Sequence, residues 1–237
     1  AMMEPLILIP GLMMDARAVM PQLLALATDR PVMVALPLGA DTMEAIAARM
    51  IDALPAHFAV AGFGLGGHVA AELLRRAPER ITRLALVATD PLPETPAEAA
   101  RREARLVAAQ VGRLPECIVE EVPPQALFDG PGRDAALTLL QAMAEDMGVR
   151  AYIDQTRALI RRRDPLRTLR SVRIPVLILG GVADPLVPAR RRDFLASMLP
   201  FAQALSIADA GHLPALEAPG AVNAALADFL AGPLLLR

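Results

Sequence analysis

The chain has 237 residues, 54% of them hydrophobic, so it is long and apolar enough for one large α/β domain or a domain with an insertion. The net charge of -2 and an aromatic content of 3% argue against a nucleic-acid partner, because such binders need basic surface and stacking rings. No apolar run reaches the ~18 residues of a membrane span, so we also expect no membrane partner.

The rare or absent residue types limit which cellular compartments and which kinds of catalysis fit this sequence. Cys117 is the single cysteine, which rules out an internal disulfide and suits a reducing compartment. The first residues, AMMEPLILIP, lack the basic region of a signal peptide, so we expect a cytoplasmic protein. The chain has no lysine, which excludes Schiff-base chemistry on a lysine side chain. We predict neither a cofactor nor a metal ion.

Short apolar runs alternate with helical patterns along most of the chain. The strand candidates, in order, are Leu6 to Ile9 and the runs PVMVALP, FAVAGF, LALVAT, PVLILGG and QALSIAD. Their nearly continuous apolar character is typical of parallel strands covered on both faces. Amphipathic stripes lie between them, one formed by Val19, Met20, Leu23 and Leu24 after a candidate N-cap at Asp15, another by Val222, Leu226, Phe229 and Leu230. This alternation predicts a doubly wound, mostly parallel sheet of about six strands.

The alternation breaks between the fourth and fifth strand candidates. Ala- and Arg-rich stretches such as AEAARREARLVAAQVG and AALTLLQAMAEDM stand there, separated by Pro/Gly turns. We interpret residues 93–170 as a helical cap inserted into a core formed by residues 1–92 and 171–237.

A glycine-rich turn separates the third strand candidate from the helix that follows it. Gly62, Gly64 and Gly66 have the spacing of a nucleophile elbow, in which a nucleophilic side chain occupies the middle position between two glycines. Here the middle position is Gly64. The serines of the chain, Ser171, Ser197 and Ser206, all lie outside such turns.

Other candidate site residues also follow predicted strands. Leu12 follows the first strand, Asp90 the fourth, Asp184 the fifth and His212 the sixth. Chemistry in α/β sheets is carried by loops at the carboxyl ends of the strands. A position after the third strand, then an acid, then a histidine is the chain order of a hydrolase triad.

On these residues the sequence resembles the α/β-hydrolase superfamily, in particular its small capped esterase-like members. The matching segments are IPGLMMDARAVMPQL, AGFGLGGHVAAELLRRAPERITRLALVATD, PVLILGGVADPLVP and AGHLPALEAPGAV, in family order. The resemblance implies that His212 is the general base and acid, that Asp184 orients it, and that the backbone N–H groups of Leu12 and Leu65 form an oxyanion hole. It implies a serine at position 64, so Gly64 is the departure from the family. The implied substrate is a small apolar, ester-like molecule.

Plainer interpretations of the same residues stay open. GFGLGG also fits a dinucleotide-binding loop, but no acidic residue follows about 20 positions on at the end of the next strand. Asp184 alone could cap the next helix, and His212 alone could be a structural loop histidine. Asp90 is an alternative acid, although its Asp-Pro context favours a turn. We expect His68 to pack beside the pocket, and the basic run RALIRRRDPLRTLR to be a solvated face.

Three explanations of Gly64 compete. The first is an engineered inactivation of a serine esterase, for which Ala1 before Met2 would be a cloning remnant. The second is a natural enzyme in which the His212–Asp184 pair activates water or substrate without a covalent step. The third is a non-catalytic ligand-binding protein. Met143 and Met147 in the cap suggest a hydrophobic substrate, while the bond type and the oligomeric state are not predicted.

Overall fold

The computed structural model describes residues 3–234, so the predicted core boundaries at residues 1–2 and 235–237 lie outside the described residues. The strands are β1 Leu6–Ile9, β2 Val32–Val34, β3 Phe58–Phe63, β4 Ile81–Val87, β5 Val176–Gly181 and β6 Ala202–Ile207. The helices are α1 Met20–Leu26, α2 Met43–Ile51, α3 Leu65–Arg76, α4 Pro96–Gln110, α5 Leu114–Glu121, α6 Arg133–Ile160, α7 Leu166–Leu169, α8 Ala189–Met198, α9 Pro214–Glu217 and α10 Pro219–Ala231. Short 3-10 helices span Ala16–Val19 and Pro124–Ala126.

The six strands form one parallel sheet in the order β2-β1-β3-β4-β5-β6. The fold prediction is therefore confirmed, and the sheet is parallel throughout its described strands. β1, β3 and β5 are buried along their whole length, as the apolar runs predict. β2 and β6 are only partly buried because they are the edges of the sheet and lack a neighbour on one side.

Helices cover both faces of the sheet, as the predicted doubly wound fold requires. Alternate residues of β1 point to opposite sides, so Ile7 and Ile9 pack with α2 and α3 while Leu6 and Leu8 pack with α1 and α10. The predicted stripe of α10 is confirmed, since Val222, Leu226, Phe229 and Leu230 are all buried. The stripe of α1 is wrong at Leu24, which is 68% exposed.

The start of α1 also differs from the predicted pattern. Asp15 caps the 3-10 helix Ala16–Val19, where its Oδ1 accepts from the Arg17 amide at 2.9 Å, and α1 begins only at Met20. The tighter winding of the 3-10 turn shifts the phase of the stripe, so that Gln22 and Leu26 face inward.

Residues 93–170 carry the helices α4 to α7 between β4 and β5; we call this range the helical segment. We call the rest of the described chain, residues 3–92 and 171–234, the sheet domain. The buried residues of the helical segment, among them Leu140, Met143 and Tyr152, form a cluster with Met13, Met14 and Leu213 from loops of the sheet domain. The helical segment therefore packs over the loops that follow β1 and β6. No helix within residues 3–234 combines the length and apolarity needed to cross a membrane.

Candidate active site

The turn between β3 and α3 has a geometry set by close packing around Gly64. Gly64 has φ 52° and ψ -117°, a conformation that side chains rarely adopt, and it is the N-cap of α3. Its amide donates to the Val87 carbonyl at 2.8 Å, and the hydroxyl of Thr89 donates to its carbonyl at 2.9 Å. Both polar groups of Gly64 are thus fixed by the loop after β4. Thr89 gave no signal in the sequence analysis, because its role depends on a neighbouring strand.

The space around Gly64 differs from that around the other glycines of the turn. A Cβ on Gly62 would collide with Gly66, one on Gly66 with the Ile9 carbonyl, and one on Gly67 with Thr89. A Cβ on Gly64 would meet nothing closer than the Gly11 Cα at 3.9 Å. Position 64 is therefore the one of these four at which a side chain has room.

Asp184 and His212 lie together after β5 and β6. Nδ1 of His212 is 3.0 Å from Oδ2 of Asp184, and the Asp184 side chain is fully buried. Oδ1 of Asp184 accepts from the amides of Leu186 and Val187 at 2.8 and 3.1 Å. Asp184 therefore both caps its own turn and binds His212, so the two interpretations of Asp184 are compatible.

Two residues that the sequence analysis missed hold this pair in place. The carboxylate of Glu217 accepts from the amides of Gly211 and Leu213 at 3.0 and 2.9 Å, on either side of His212. Arg192, 2% exposed, donates to the carbonyls of Val187 and Gly181 around Asp184. Burial lowers the pKa of Arg192, and the nearby Asp184 opposes that shift. The sequence does not distinguish Arg192 from the arginines beside it on α8, although Arg190 is exposed and Arg191 is partly exposed.

Asp90, the alternative acid, lies elsewhere in the network. Its Oδ2 accepts from Arg191 at 2.6 Å and its Oδ1 from the Leu92 amide at 3.0 Å. It makes no hydrogen bond with His212. Its role in the structure is that of a turn residue paired with an arginine.

A cavity of about 350 Å³ joins these residues beneath the helical segment. Its wall includes Leu12, Gly64, Leu65 and His212, so four of the five predicted site residues line one space, with Asp184 behind His212. The amide of Leu12 has no acceptor among the described residues. Leu65 is the first residue of α3, where helix geometry offers its amide no partner. Both amides are therefore available to a bound group.

The roof of the cavity is partly apolar, as the sequence predicts, but Met143 and Met147 are not part of it. Met143 is fully buried inside the helical segment, where its sulfur accepts from the Asp15 amide, and neither Met143 nor Met147 lines the cavity. The prediction was wrong because those methionines fill the segment's own core. Besides the apolar Ile118, Val122, Leu140 and Leu159, the roof carries charged side chains: Glu94, Glu98, Arg101, Arg102, Arg105, Glu120, Glu121 and Arg162.

The remaining candidates are placed as follows. His68 on α3 lines the cavity, and its pKa is lowered to about 3 by burial and by the nearby cations Arg162 and Arg102. His57 is exposed. Cys117 is buried away from the cavity, and burial raises the pKa of its thiol. Residues 3–234 contain no cluster of three or more His, Cys, Asp or Glu side chains arranged to hold a metal ion.

Comparison with known proteins supports the fold. Residues 6–225 match the model of the alpha/beta hydrolase family. The chain belongs to this family. It is 31% identical over 202 residues to the pimeloyl-[acyl-carrier protein] methyl ester esterase of Aromatoleum aromaticum, which covers 81% of each chain.

Solved structures of the family share the fold over nearly the whole chain. A thermophilic esterase from Thermogutta terrifontis, with malate bound, is 24% identical, with a TM-score of 0.86 over 97% of this chain and 90% of that one. The enol-lactonase from Burkholderia xenovorans LB400 is 20% identical, with a TM-score of 0.84 over 98% and 93%. At these identities the likeness shows the fold alone.

Proposed function

We propose that this alpha/beta hydrolase carries the site of a carboxylic-ester hydrolase in which Gly64 occupies the place of a serine nucleophile, so that the chain is an inactivated variant. The carrying observation is that Gly64, with open space in the Cβ direction, lines the same cavity as a His212 bound to Asp184 at 3.0 Å. The esterase relative supports an ester as the substrate.

The serine form would act through a covalent intermediate. The Oγ at position 64 adds to the ester carbonyl while His212 takes its proton, and the amides of Leu12 and Leu65 bind the developing oxyanion. Collapse expels the alcohol, which takes the proton from His212. A water molecule then repeats the sequence and releases the acid. Gly64 lacks the oxygen for the first step, and we propose that the helical segment is the cap that encloses the substrate.

The test compares this chain with its Gly64→Ser and Gly64→Ala forms. Each is assayed with 4-nitrophenyl acetate and butyrate and treated with a fluorophosphonate, with bound phosphonate measured by mass spectrometry. We expect turnover and one covalent label in the serine form alone. Gly64→Ala is the matched control, since it adds a Cβ at the same backbone angles without a nucleophile. Gly64→Ser combined with His212→Ala should lose the label.

A second candidate is a natural enzyme that uses the His212–Asp184 pair without a covalent step. The observation in its favour is the open space in the Cβ direction of Gly64, where the nearest atom is the Gly11 Cα at 3.9 Å; the attacking water would lie on this side of Gly64. His212 would take a proton from that water as its oxygen adds to the carbonyl carbon, and would return the proton to the departing alkoxide. Turnover by the glycine form that disappears in His212→Ala would establish this candidate and overturn the first.

If no form shows turnover or a covalent label, a non-catalytic binding protein is favoured. In that case the cavity should still bind esters, and calorimetry on the glycine form would show binding without product. An active, labelled serine form contradicts this third candidate, because a site that had evolved for binding alone has no reason to keep a competent pair and oxyanion amides.

A further inference from the structure

Five buried or half-buried side chains form a continuous ladder in the roof of the cavity. Glu94 accepts from Arg102 at 2.5 Å and lies 3.1 Å from Arg162. Glu121 accepts from Arg102 at 3.3 Å and from Arg105 at 2.9 Å. All five side chains are at most 17% exposed and line the cavity. We call Arg162, Glu94, Arg102, Glu121 and Arg105 the arginine ladder.

The arginine ladder has one more cation than it has anions. Three guanidinium groups share two carboxylates, and one of these, Glu121, also accepts from the Tyr152 hydroxyl at 2.7 Å. Glu120, 63% exposed, adds a third carboxylate 4.0 Å from Arg105, and the cavity wall also carries Asp90, Glu98 and Arg101. Net charge alone therefore does not select an anion, but a guanidinium donor without an acceptor favours an anionic group, because hydrogen bonds between ionised groups are the strong ones.

Open donors face the same space. Nη2 of Arg102 has no acceptor among the described residues. His68, 6% exposed, lines the cavity, and neither of its ring nitrogens has a partner in the described part of the chain. The pKa of His68 is lowered, so its ring is neutral and offers one N–H donor without adding charge. Guanidinium groups match the two oxygens of a carboxylate.

We propose that the arginine ladder and His68 form a subsite for a carboxylate, so that the substrate of this site is the monoester of a dicarboxylic acid. The ester end lies at Gly64 and His212, and the free carboxylate lies under the helical segment against Arg102. A carboxylate would satisfy the open donors of Arg102 and His68 with charge-assisted hydrogen bonds, whereas the neutral end of a diester offers them only a weaker carbonyl acceptor. This inference rests on the proposed function only for the ester end, because carboxylate binding needs no nucleophile.

The test measures binding to the chain as it stands. Monoethyl succinate, adipate and suberate are each titrated by calorimetry beside their diethyl esters, which have the same acyl chain without the charge. We expect the best monoethyl ester to bind about tenfold or more tightly than its diethyl partner. Equal affinity for the charged and neutral members across the series would overturn the proposal.

Variants locate the subsite. Arg102→Gln and Arg162→Gln should each reduce the preference for the monoester to near equality. Arg163→Gln is the matched control, since Arg163 is adjacent in sequence but pairs with Glu44 outside the cavity, and it should keep the preference. Near-UV absorbance of Tyr152 checks that each variant is folded. A preference unchanged in both cavity variants would place the anion elsewhere and refute the subsite.

Different results would reject the esterase mechanism and the carboxylate subsite. An inactive Gly64→Ser form with an intact monoester preference would reject the esterase mechanism and keep the carboxylate subsite. An active Gly64→Ser form that hydrolyses monoethyl and diethyl esters equally well, with equal affinities, would reject the subsite and keep the esterase.

Discussion

Gly64 is a glycine for a different reason from its neighbours in the turn. Gly62, Gly66 and Gly67 lack a side chain because the backbone of β1, the start of α3 and Thr89 approach too closely for a Cβ. Gly64 has room for a side chain but a positive φ of 52°. Ala88, the residue directly after β4, has φ 51° and shows that this chain tolerates such an angle outside glycine.

Stability measurements should separate these two reasons. Gly64→Ala is expected to lower the free energy of unfolding by about 1–3 kcal/mol, the cost of an L residue at this backbone angle. Gly66→Ala should lose far more or fail to fold, because its Cβ would overlap the Ile9 carbonyl. Urea denaturation monitored by far-UV circular dichroism gives both values. A Gly66→Ala form as stable as Gly64→Ala would contradict the packing argument.

At this scale the sequence predicts residues whose role follows from their place at a strand end. Asp184 and His212 follow neighbouring parallel strands, so their approach to 3.0 Å follows from topology. Thr89 was missed because its partner is the backbone of another loop, and Glu217 because its partners are backbone amides, which no side-chain pattern records.

Gly148 divides α6 into two arms. It has φ 84° and ψ 167°, so the helical path breaks between Met143 and Tyr152. The second arm carries Gln155, whose side chain accepts from the Met13 amide at 2.8 Å and donates to the Pro37 carbonyl at 3.1 Å. The break therefore lets one helix pack in the helical segment and still reach the loop that contains Leu12.

Replacing Gly148 should reveal the cost of the break. Gly148→Ala is expected to destabilise the protein by about 1–3 kcal/mol, because alanine is strained at this positive φ although its Cβ meets nothing within 4 Å. Gly220→Ala in α10 is the control: its Cβ also has open space, its φ is not positive, and it should be neutral or stabilising by up to about 1 kcal/mol. Thermal denaturation of both variants decides. Equal behaviour would show that the break costs nothing.

Helices and strands could be predicted where a single hydrophobic period runs through them. They were harder to predict where tertiary packing decides which face is buried. The inner strands and α10 follow their apolar patterns. Arg162 shows the limit. Its neighbours Arg161 and Arg163 pair with Asp41 and Glu44 at the surface, as a solvated basic run predicts, while Arg162 turns into the cavity. One residue in a run of three arginines has no local mark that separates it from the others.

At the scale of the whole molecule, apolar packing and hydrogen bonds join the helical segment to the sheet domain. Met13 and Leu213 of the sheet domain are buried in the segment's apolar cluster. The His212 amide donates to the Ala126 carbonyl at 2.9 Å, and the Phe128 amide donates to Glu217 at 2.6 Å. The backbone that presents His212 is thus held from the segment's side. The boundaries at residues 93 and 170 stay a prediction, and no sequence pattern indicates this shared packing.

Because of these contacts, we expect the helical segment and the sheet domain to unfold together. Tyr152 is the single tyrosine, the chain has no tryptophan, and this ring is fully buried in the helical segment, so near-UV tyrosine absorbance reports on the segment alone. Far-UV circular dichroism reports on all helices and strands. We expect both melting curves to have the same midpoint, as in a two-state transition. Gln155→Ala, which removes two hydrogen bonds between the parts, should lower both midpoints together. A tyrosine signal that melts first would mean that the segment opens on its own, because its contacts with the sheet domain would then be weaker than those within it.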